Sequence, residues 1–187
     1  MKALVIYESM YGNTHLIAES IAEGLRSAGS GVEVDVTAVD GATSALVAAA
    51  DLVVAGGPTH AHGMSRASTR QGAVEAAADP AKQLTLDPDA EGDGLREWFD
   101  QIDRSTARAA AFDTRVEGPT ALTGRASKGI AKRFRHGGFD LIAEPESFLV
   151  SRDNHLLDHE RDHAAQWGRE LGTALQATLR PSADHGT

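Results

Sequence analysis

A short segment near the start of the chain combines hydroxyl, amide and glycine residues: Ser9, Met10, Tyr11, Gly12, Asn13 and Thr14. The side chains of Ser9, Asn13 and Thr14 offer hydrogen bonds that phosphate oxygens accept. Gly12 lets the backbone approach a ligand without a Cβ in the way. The segment contains no lysine or arginine, so its chemistry suits a phosphate monoester better than a triphosphate with its metal.

For this segment to bind a phosphate, the strand before it and the helix after it must direct several backbone N–H groups toward one point. An apolar run over residues 4–7 predicts a strand, and a helix is expected to begin near Thr14 because apolar residues recur on one helical face from Ile17 to Leu25. The positive end of the helix dipole would then lie at the turn, where Tyr11 contributes mainly its backbone N–H. An ordinary strand-to-helix turn capped by Asn13 or Thr14 is the alternative.

A second segment with polar and glycine residues follows the unbroken apolar run 51–57. It contains Pro58, Thr59, His60, Ala61, His62, Gly63 and Met64. These residues offer hydrogen bonds and flat or polarizable contact surfaces. A surface loop with two solvated histidines is the alternative. A metal site is disfavoured, because neither a carboxylate nor a third histidine is close to the His-x-His pair in sequence.

A third polar segment, Asp113, Thr114 and Arg115, follows the predicted strand 108–112. The strand is assigned partly by its position, since alanine is a weak strand former. In an open parallel sheet, ligands bind outside the carboxyl ends of the strands. All three segments are expected at that edge.

The remaining pattern completes an alternation of strands and helices. Apolar and polar residues alternate over 32–37, as in an edge strand. Residues 139–150 predict a fifth strand that is interrupted at Pro145, and a closing helix is expected over 159–179. Shorter helices are expected over 41–50, 66–78, 95–104 and 127–136. The order implies a parallel sheet with right-handed crossovers in a single domain over 1–180. Residues 181–187 are expected to be a disordered tail.

Composition excludes several classes of function. The formal net charge of −9 argues against nucleic acid as a partner, and the absence of cysteine excludes disulfides, thiolate catalysis and iron–sulfur clusters. Any redox chemistry therefore needs a borrowed cofactor. The sequence shows neither a signal peptide nor an apolar run of membrane-spanning length, so we expect a cytoplasmic protein without a membrane span.

Two further patterns have alternative interpretations. Seven acidic residues between Asp87 and Asp103 either form a docking face for a basic redox partner or belong to a solvated surface. Residues 159–163 match the H-E-x-x-H pattern of zinc hydrolases. Both histidines lie to the side of the apolar stripe of the closing helix, and charged residues fill the middle positions, so an exposed helix start is the expected structure.

With these segments together, the chain resembles the flavodoxin-like family over nearly its whole length. The segment 9–14 resembles the family's phosphate loop for flavin mononucleotide (FMN), 56–63 resembles the loop beside the flavin ring, and 113–115 lies where the third loop would start. The resemblance implies an α/β, doubly wound three-layer sandwich with a five-stranded parallel sheet in the order 2-1-3-4-5. It also implies FMN as cofactor, bound by the residues of the three segments: Ser9, Tyr11, Gly12, Asn13, Thr14, Pro58, Thr59, His60, His62, Gly63, Met64, Asp113, Thr114 and Arg115.

Departures from the family pattern bear on function. The third segment has no tyrosine or tryptophan between Asp113 and Gly124, which would leave one flavin face open. Arg115 is expected to place positive charge near the pyrimidine end of the ring and to raise its potential. The implied function is electron transfer or oxidoreduction, from a nicotinamide or protein donor to a quinone-like or protein acceptor. An enzyme would be an FMN-dependent oxidoreductase of the NAD(P)H:quinone type, and a non-redox regulatory or interaction module is the alternative.

Overall fold

The computed structural model describes residues 1–29 and 31–179. Within this part of the chain the strands are β1 (Lys2–Tyr7), β2 (Glu33–Ala38), β3 (Leu52–His60), β4 (Gly63–Met64), β5 (Arg108–Val116), β6 (Asp140–Leu141) and β7 (Glu146–Val150). The helices are α1 (Asn13–Ser27), α2 (Ser44–Ala49), α3 (Ala67–Ala77), α4 (Leu95–Gln101), α5 (Thr120–Thr123), α6 (Ala126–His136) and α7 (Glu160–Leu179). The expected tail 181–187 lies outside the described residues.

The five positions of the parallel sheet have the predicted order. β2, β1, β3 and β5 lie side by side, and β6 and β7 together fill the fifth position beside β5. The chain leaves the sheet between them over residues 142–145, where Pro145 lacks the N–H that a ladder needs. The short β4 adds an antiparallel hairpin to the end of β3. The predicted fold class is confirmed, with these two strand fragments as additions.

Helices cover both faces of the sheet. α1 and α7 enclose one buried cluster, which includes Val5, Ile21 and Leu171. α4 and α6 enclose the second cluster on the opposite face, which includes Ile6 and Phe134. Neighbouring residues of β1 contribute to opposite clusters, because successive side chains in a strand point to opposite faces. This is the three-layer arrangement that the unbroken apolar strands predict.

Two strands are longer than the sequence predicted. β3 continues from Gly57 to His60, and β5 continues from Phe112 to Val116, because these extensions pair with each other and with β7. Gly57 lies opposite Asp113 and Pro58 lies opposite Thr114. Much of the second and third polar segments therefore belongs to strand ends rather than to loops, and the predicted end of the fourth main strand at residue 112 was wrong.

The two edges of the sheet differ in how they end. β2 carries the exposed residues Glu33 and Asp35 on its alternating pattern. On the other side, the chain after β7 folds back, so that Val150 bridges Leu156 and the Leu157 N–H donates to the Leu149 carbonyl at 3.0 Å.

None of the helices in the described ranges is long and apolar enough to cross a membrane.

Candidate functional site

A cavity of about 140 Å³ lies at the carboxyl edge of the sheet. It is lined by residues from all three polar segments and from the end of β7: Ser9, Met10, Tyr11, Asn13, Thr14, Pro58, Thr59, His60, Thr114, Arg115, Val116, Val150 and Asn154. Nine of the fourteen residues predicted from sequence are thus brought together here. Gly12, His62, Gly63, Met64 and Asp113 do not line the cavity.

The first segment forms the start of α1. Gly12 has the left-handed backbone angle φ 89°, and its N–H donates to Ser9 Oγ at 3.1 Å. The Gly12 carbonyl accepts the first helical hydrogen bond, and among the described residues none accepts from the backbone N–H groups of Tyr11, Asn13 or Thr14. The first turn carries no acidic side chain. These free donors at the positive end of a helix favour an anion.

Side chains of this segment also tie it to the neighbouring strand ends. The hydroxyl oxygens of Thr14 and Thr114 are 2.7 Å apart and buried. The Asn13 amide donates to the carbonyl and side-chain oxygens of Asn154, at 2.9 and 3.0 Å. These contacts fix the first segment against the end of β5 and the segment that follows β7, so the cavity wall is built before any ligand binds.

The second segment contributes the end of β3. Thr59 Oγ1 accepts from the Ala126 N–H at 2.9 Å, which anchors the start of α6 beside the cavity. Burial is the main cause that lowers the pKa of His60 below its ordinary value, assisted by the charge of Arg70 and opposed by that of Glu8. His60 is therefore a neutral imidazole at pH 7, able to pack against an aromatic ring or exchange one hydrogen bond with it.

The chain turns away from the cavity directly after His60. Ala61 and His62 both have positive φ angles, 46° and 71°, in the tight turn that joins β3 to β4. The exposed His62 forms a backbone bridge with Gly124, and buried Met64 packs against Gly129 of α6. His62, Gly63 and Met64 thereby line a different cavity, between α4 and α6.

Asp113 and Arg115 are two positions apart in β5 and share one face of the strand, yet their environments differ. Arg115 lines the cavity, and its Nη1 donates to the Val116 and Gly118 carbonyls and to Thr123 Oγ1, at 3.3, 3.0 and 3.1 Å. No carboxylate of the described residues pairs with this guanidinium. Asp113 is fully buried and accepts from the Ser127 N–H at 2.7 Å, so it supports the first turn of α6.

Four lining residues were not predicted from sequence: Met10, Val116, Val150 and Asn154. Asn154 could have been predicted from the sequence, because it follows the fifth predicted strand, whose carboxyl end lies at the same edge of the sheet as the ends of the other strands. Its φ of 61° is one that asparagine tolerates better than most residues. Met10 and the two valines are apolar, and the sequence has no pattern that separates them from core residues.

The acidic segment is partly buried against the first loop. The Asp87 N–H donates to the Met10 carbonyl at 2.9 Å, and the buried Asp87 carboxylate lies 3.3 Å from His15 Nδ1. Asp89 accepts from the Tyr7 hydroxyl at 2.7 Å, and burial together with this contact raises the pKa of Tyr7. The oxygen and nitrogen atoms of His15, Asp87 and Asp89 lie within 4.8 Å of one another, but these hydrogen bonds already use them. The segment therefore supports the first loop.

The H-E-x-x-H residues do not form a metal site within the described chain. His159 precedes α7, has a φ of 68°, and lies 3.6 Å from Asp162 on an exposed surface. Glu160 lies 3.3 Å from His163 Nδ1. The glutamate thus contacts a histidine instead of standing free to polarise a water, and the expected exposed helix start agrees with this geometry.

Comparison with known proteins identifies the family. The family model for Flavodoxin matches residues 5–112, which contain the first two segments and the strands that carry them. The chain belongs to the flavodoxin family. No curated protein matches its sequence significantly.

Solved flavodoxin structures share the fold at low sequence identity. A flavodoxin from the domain Archaea is 19% identical, with 94% of this chain and 99% of that chain covered and a TM-score of 0.62. Flavodoxin 1 from Bacillus cereus is also 19% identical, with coverages of 96% and 100% and a TM-score of 0.62. A WrbA-like flavodoxin from Agrobacterium tumefaciens is 17% identical, with coverages of 94% and 98% and a TM-score of 0.58.

Membership of the flavodoxin family implies a flavin, usually FMN. The residues at the cavity fit such a group. Backbone N–H groups at the start of α1 have no acceptor among the described residues, and the Nε of Arg115 is buried without a hydrogen-bond partner. An empty apolar pocket needs no such donors, whereas a phosphate needs several. The chemistry of this edge therefore suits the phosphate end of a flavin mononucleotide.

Proposed function

We propose that the chain binds FMN at the cavity beside the start of α1 and serves in electron transfer. The observation that carries this proposal is the convergence of three strand ends on free backbone N–H groups. Family membership supports a flavin as the ligand. A bound flavin supplies the electron chemistry, while the protein holds it and sets its surroundings.

Each side of the cavity has a separate part in the proposed complex. The N–H groups of Tyr11, Asn13 and Thr14 bind the phosphate, with the Ser9 and Thr14 hydroxyls as further donors. Gly12 shapes this cradle through its backbone angle.

The remainder of the flavin extends from this cradle along the carboxyl edge of the sheet. Pro58, Thr59 and His60 border the ring and its ribityl chain, and Thr114 and Arg115 lie beside them on the neighbouring strand β5. His62, Gly63 and Met64 line a neighbouring cavity, so direct contacts to the flavin are proposed for the residues before the Ala61–His62 turn.

The physiological reaction passes electrons from a nicotinamide or protein donor to a quinone-like or protein acceptor. None of the side chains that line the cavity is acidic, and the one histidine among them, His60, is neutral. Such a lining suits transfer of electrons without a dedicated catalytic acid. Reduction by NAD(P)H with turnover of a quinone indicates an enzyme, and reduction by a ferredoxin-type reductase indicates a carrier.

The decisive measurement is a visible spectrum of the purified protein followed by a reductive titration. We expect a flavin absorbance band that bleaches on reduction, and tight quenching of FMN fluorescence by the flavin-free protein. A colourless protein that gains no band with added FMN contradicts the proposal and indicates a non-redox module instead.

A substitution tests where the phosphate binds. Asn13→Asp places a carboxylate at the cradle, so the affinity for FMN should fall at least about tenfold. Riboflavin, which lacks the phosphate, is the matched control, and its affinity should change far less. Equal losses for FMN and riboflavin would place the phosphate elsewhere.

A further inference from the structure

A second cavity, of about 820 Å³, lies between α4 and α6 on the face of the sheet opposite α1 and α7. Its volume falls in the range of small-molecule sites, whereas the cavity at the start of α1 measures about 140 Å³. We call it the α4–α6 groove. One end is formed by Gly63 and Met64, directly after the turn that closes the first cavity.

The groove is positively charged in a chain whose net charge is −9. Five arginine and lysine side chains line it, against one carboxylate, that of Asp100. These cations are Arg96, Arg104, Arg125, Lys132 and Arg133. Only Arg133 is paired with the carboxylate, so four positive charges remain within the described part of the groove. Such a concentration of one sign in a cleft attracts an anion.

Backbone oxygens hold two of these arginines in place without neutralising them. Arg96 donates from Nε to the Ser65 carbonyl at 2.7 Å and from Nη2 to the Met64 carbonyl at 3.1 Å. Arg104 donates to the His136 carbonyl at 3.1 Å. Preorganised guanidinium groups lose little conformational entropy on binding and match the oxygens of a phosphate.

The floor of the groove is apolar. Phe99 and Ile102 are half-buried and pack beside the core, and Met64 is buried with its sulfur against Gly129. Phe99 is held edge-on to Phe134, with ring centroids 5.0 Å apart and an interplanar angle of 85°. A rigid aromatic ring at the floor of a cationic groove suits a ligand with a flat apolar part as well as negative charge.

We propose that the α4–α6 groove is a nucleotide site, which binds the phosphates of a nucleoside diphosphate or larger nucleotide at the cationic rim and its base against Phe99 and Met64. A simple anion would leave the apolar floor unused, and a run of acidic side chains would likewise make no use of Phe99 and Met64. The site is separate from the proposed flavin site and does not depend on it.

Calorimetric titration of the full-length protein with ADP tests the proposal, with inorganic pyrophosphate and adenosine as the two partial ligands. We expect ADP to bind more tightly than either, with an affinity that falls as salt is raised. Lys132→Ala should weaken ADP at least about fivefold, because it removes an exposed groove charge. Lys128→Ala is the matched control: it removes the same charge from the same helix, outside the groove, and should change ADP affinity less than twofold.

The contribution of the floor is tested by Phe99→Leu, which keeps an apolar side chain but removes the ring. The advantage of ADP over pyrophosphate should shrink, while pyrophosphate affinity stays within about twofold, and a thermal melt of the variant reports its folding. The proposal is overturned if ADP and pyrophosphate bind equally, if Lys128→Ala acts like Lys132→Ala, or if a polyglutamate peptide binds while ADP does not. FMN binding, measured in the same samples, reports separately on the flavin site.

Discussion

Thr14 and Thr114 share a hydrogen bond between buried hydroxyl groups whose oxygens are 2.7 Å apart, although one hundred positions separate them in sequence. This contact joins the start of α1 to the end of β5. It therefore fixes the distance between the two sides of the candidate flavin cavity.

Thr14→Val and Thr114→Val should each destabilise the flavin-free protein by about 1–3 kcal/mol, because each leaves the other hydroxyl buried with one partner fewer. The double variant should cost less than the sum of the two, since both polar groups are then gone. Urea unfolding of the four proteins in a double-mutant cycle measures the coupling. Thr173→Val, at an exposed position of α7, controls for the change of residue type. Simple additivity would show that the pair does not stabilise the fold.

Gly12→Ala should lower the free energy of unfolding by about 1–2 kcal/mol, because an alanine at φ 89° is strained. Space is not the cause, as the nearest atom to an added Cβ is Asp87 Oδ2 at 3.8 Å. Gly72→Ala, inside α3 with nothing within 4 Å, should instead stabilise by about 0.5–1 kcal/mol. Chemical denaturation compares the two. A Gly12→Ala protein as stable as the parent would argue against the strained cradle.

Arg115→Ala should lower the midpoint potential of the bound flavin, because a positive charge without a carboxylate partner stabilises the more negative reduced state. A charge about 4 Å away contributes roughly 1 kcal/mol even in water-like surroundings, or roughly 40 mV for one electron. Potentiometric titration measures the shift, and Arg169→Ala on the far helix α7 is the control. An equal or higher potential in the Arg115 variant would mean that this side chain does not tune the flavin.

His60 should make the protein less stable as the pH falls below about 6.5. Burial lowers the pKa of its imidazole in the folded protein, so the unfolded chain takes up the proton first. The stabilising contribution is complete above the ordinary value and is lost as the pH drops toward the folded-state pKa. Thermal melts between pH 7 and 5.5 should show a steeper loss for the parent than for His60→Gln, with His62→Gln as a control in the same turn. Parallel curves for the parent and His60→Gln would contradict the burial argument.

Local pattern was sufficient to predict the order of the main elements. Apolar runs such as 4–7 and 51–57 predicted strands, because buried parallel strands have few polar positions. The helical periodicity of apolar residues predicted α1 and α7 with bounds close to those observed. Pro145 marked the interruption of the fifth strand correctly.

Long-range pairing was beyond local pattern. Asp113 resembles a loop residue in sequence, yet β3 and β7 hold it in a strand with its carboxylate at the start of α6. Asn154 reaches the first loop across 141 positions, and only the folded sheet shows that contact. The turn at Ala61 and His62, which directs the next residues away from the cavity, contains no glycine that would have predicted it.

The chain that folds back beside β7 also affects whether a second copy of the protein can pair with the edge of the sheet. An exposed strand edge is a template on which a second molecule can add its own strand. Here Leu156 and Leu157 occupy part of that edge, the gap before Pro145 divides the rest, and the opposite margin presents Glu33 and Asp35. Both margins of the sheet are thus poor templates for strand addition by a second copy of the chain.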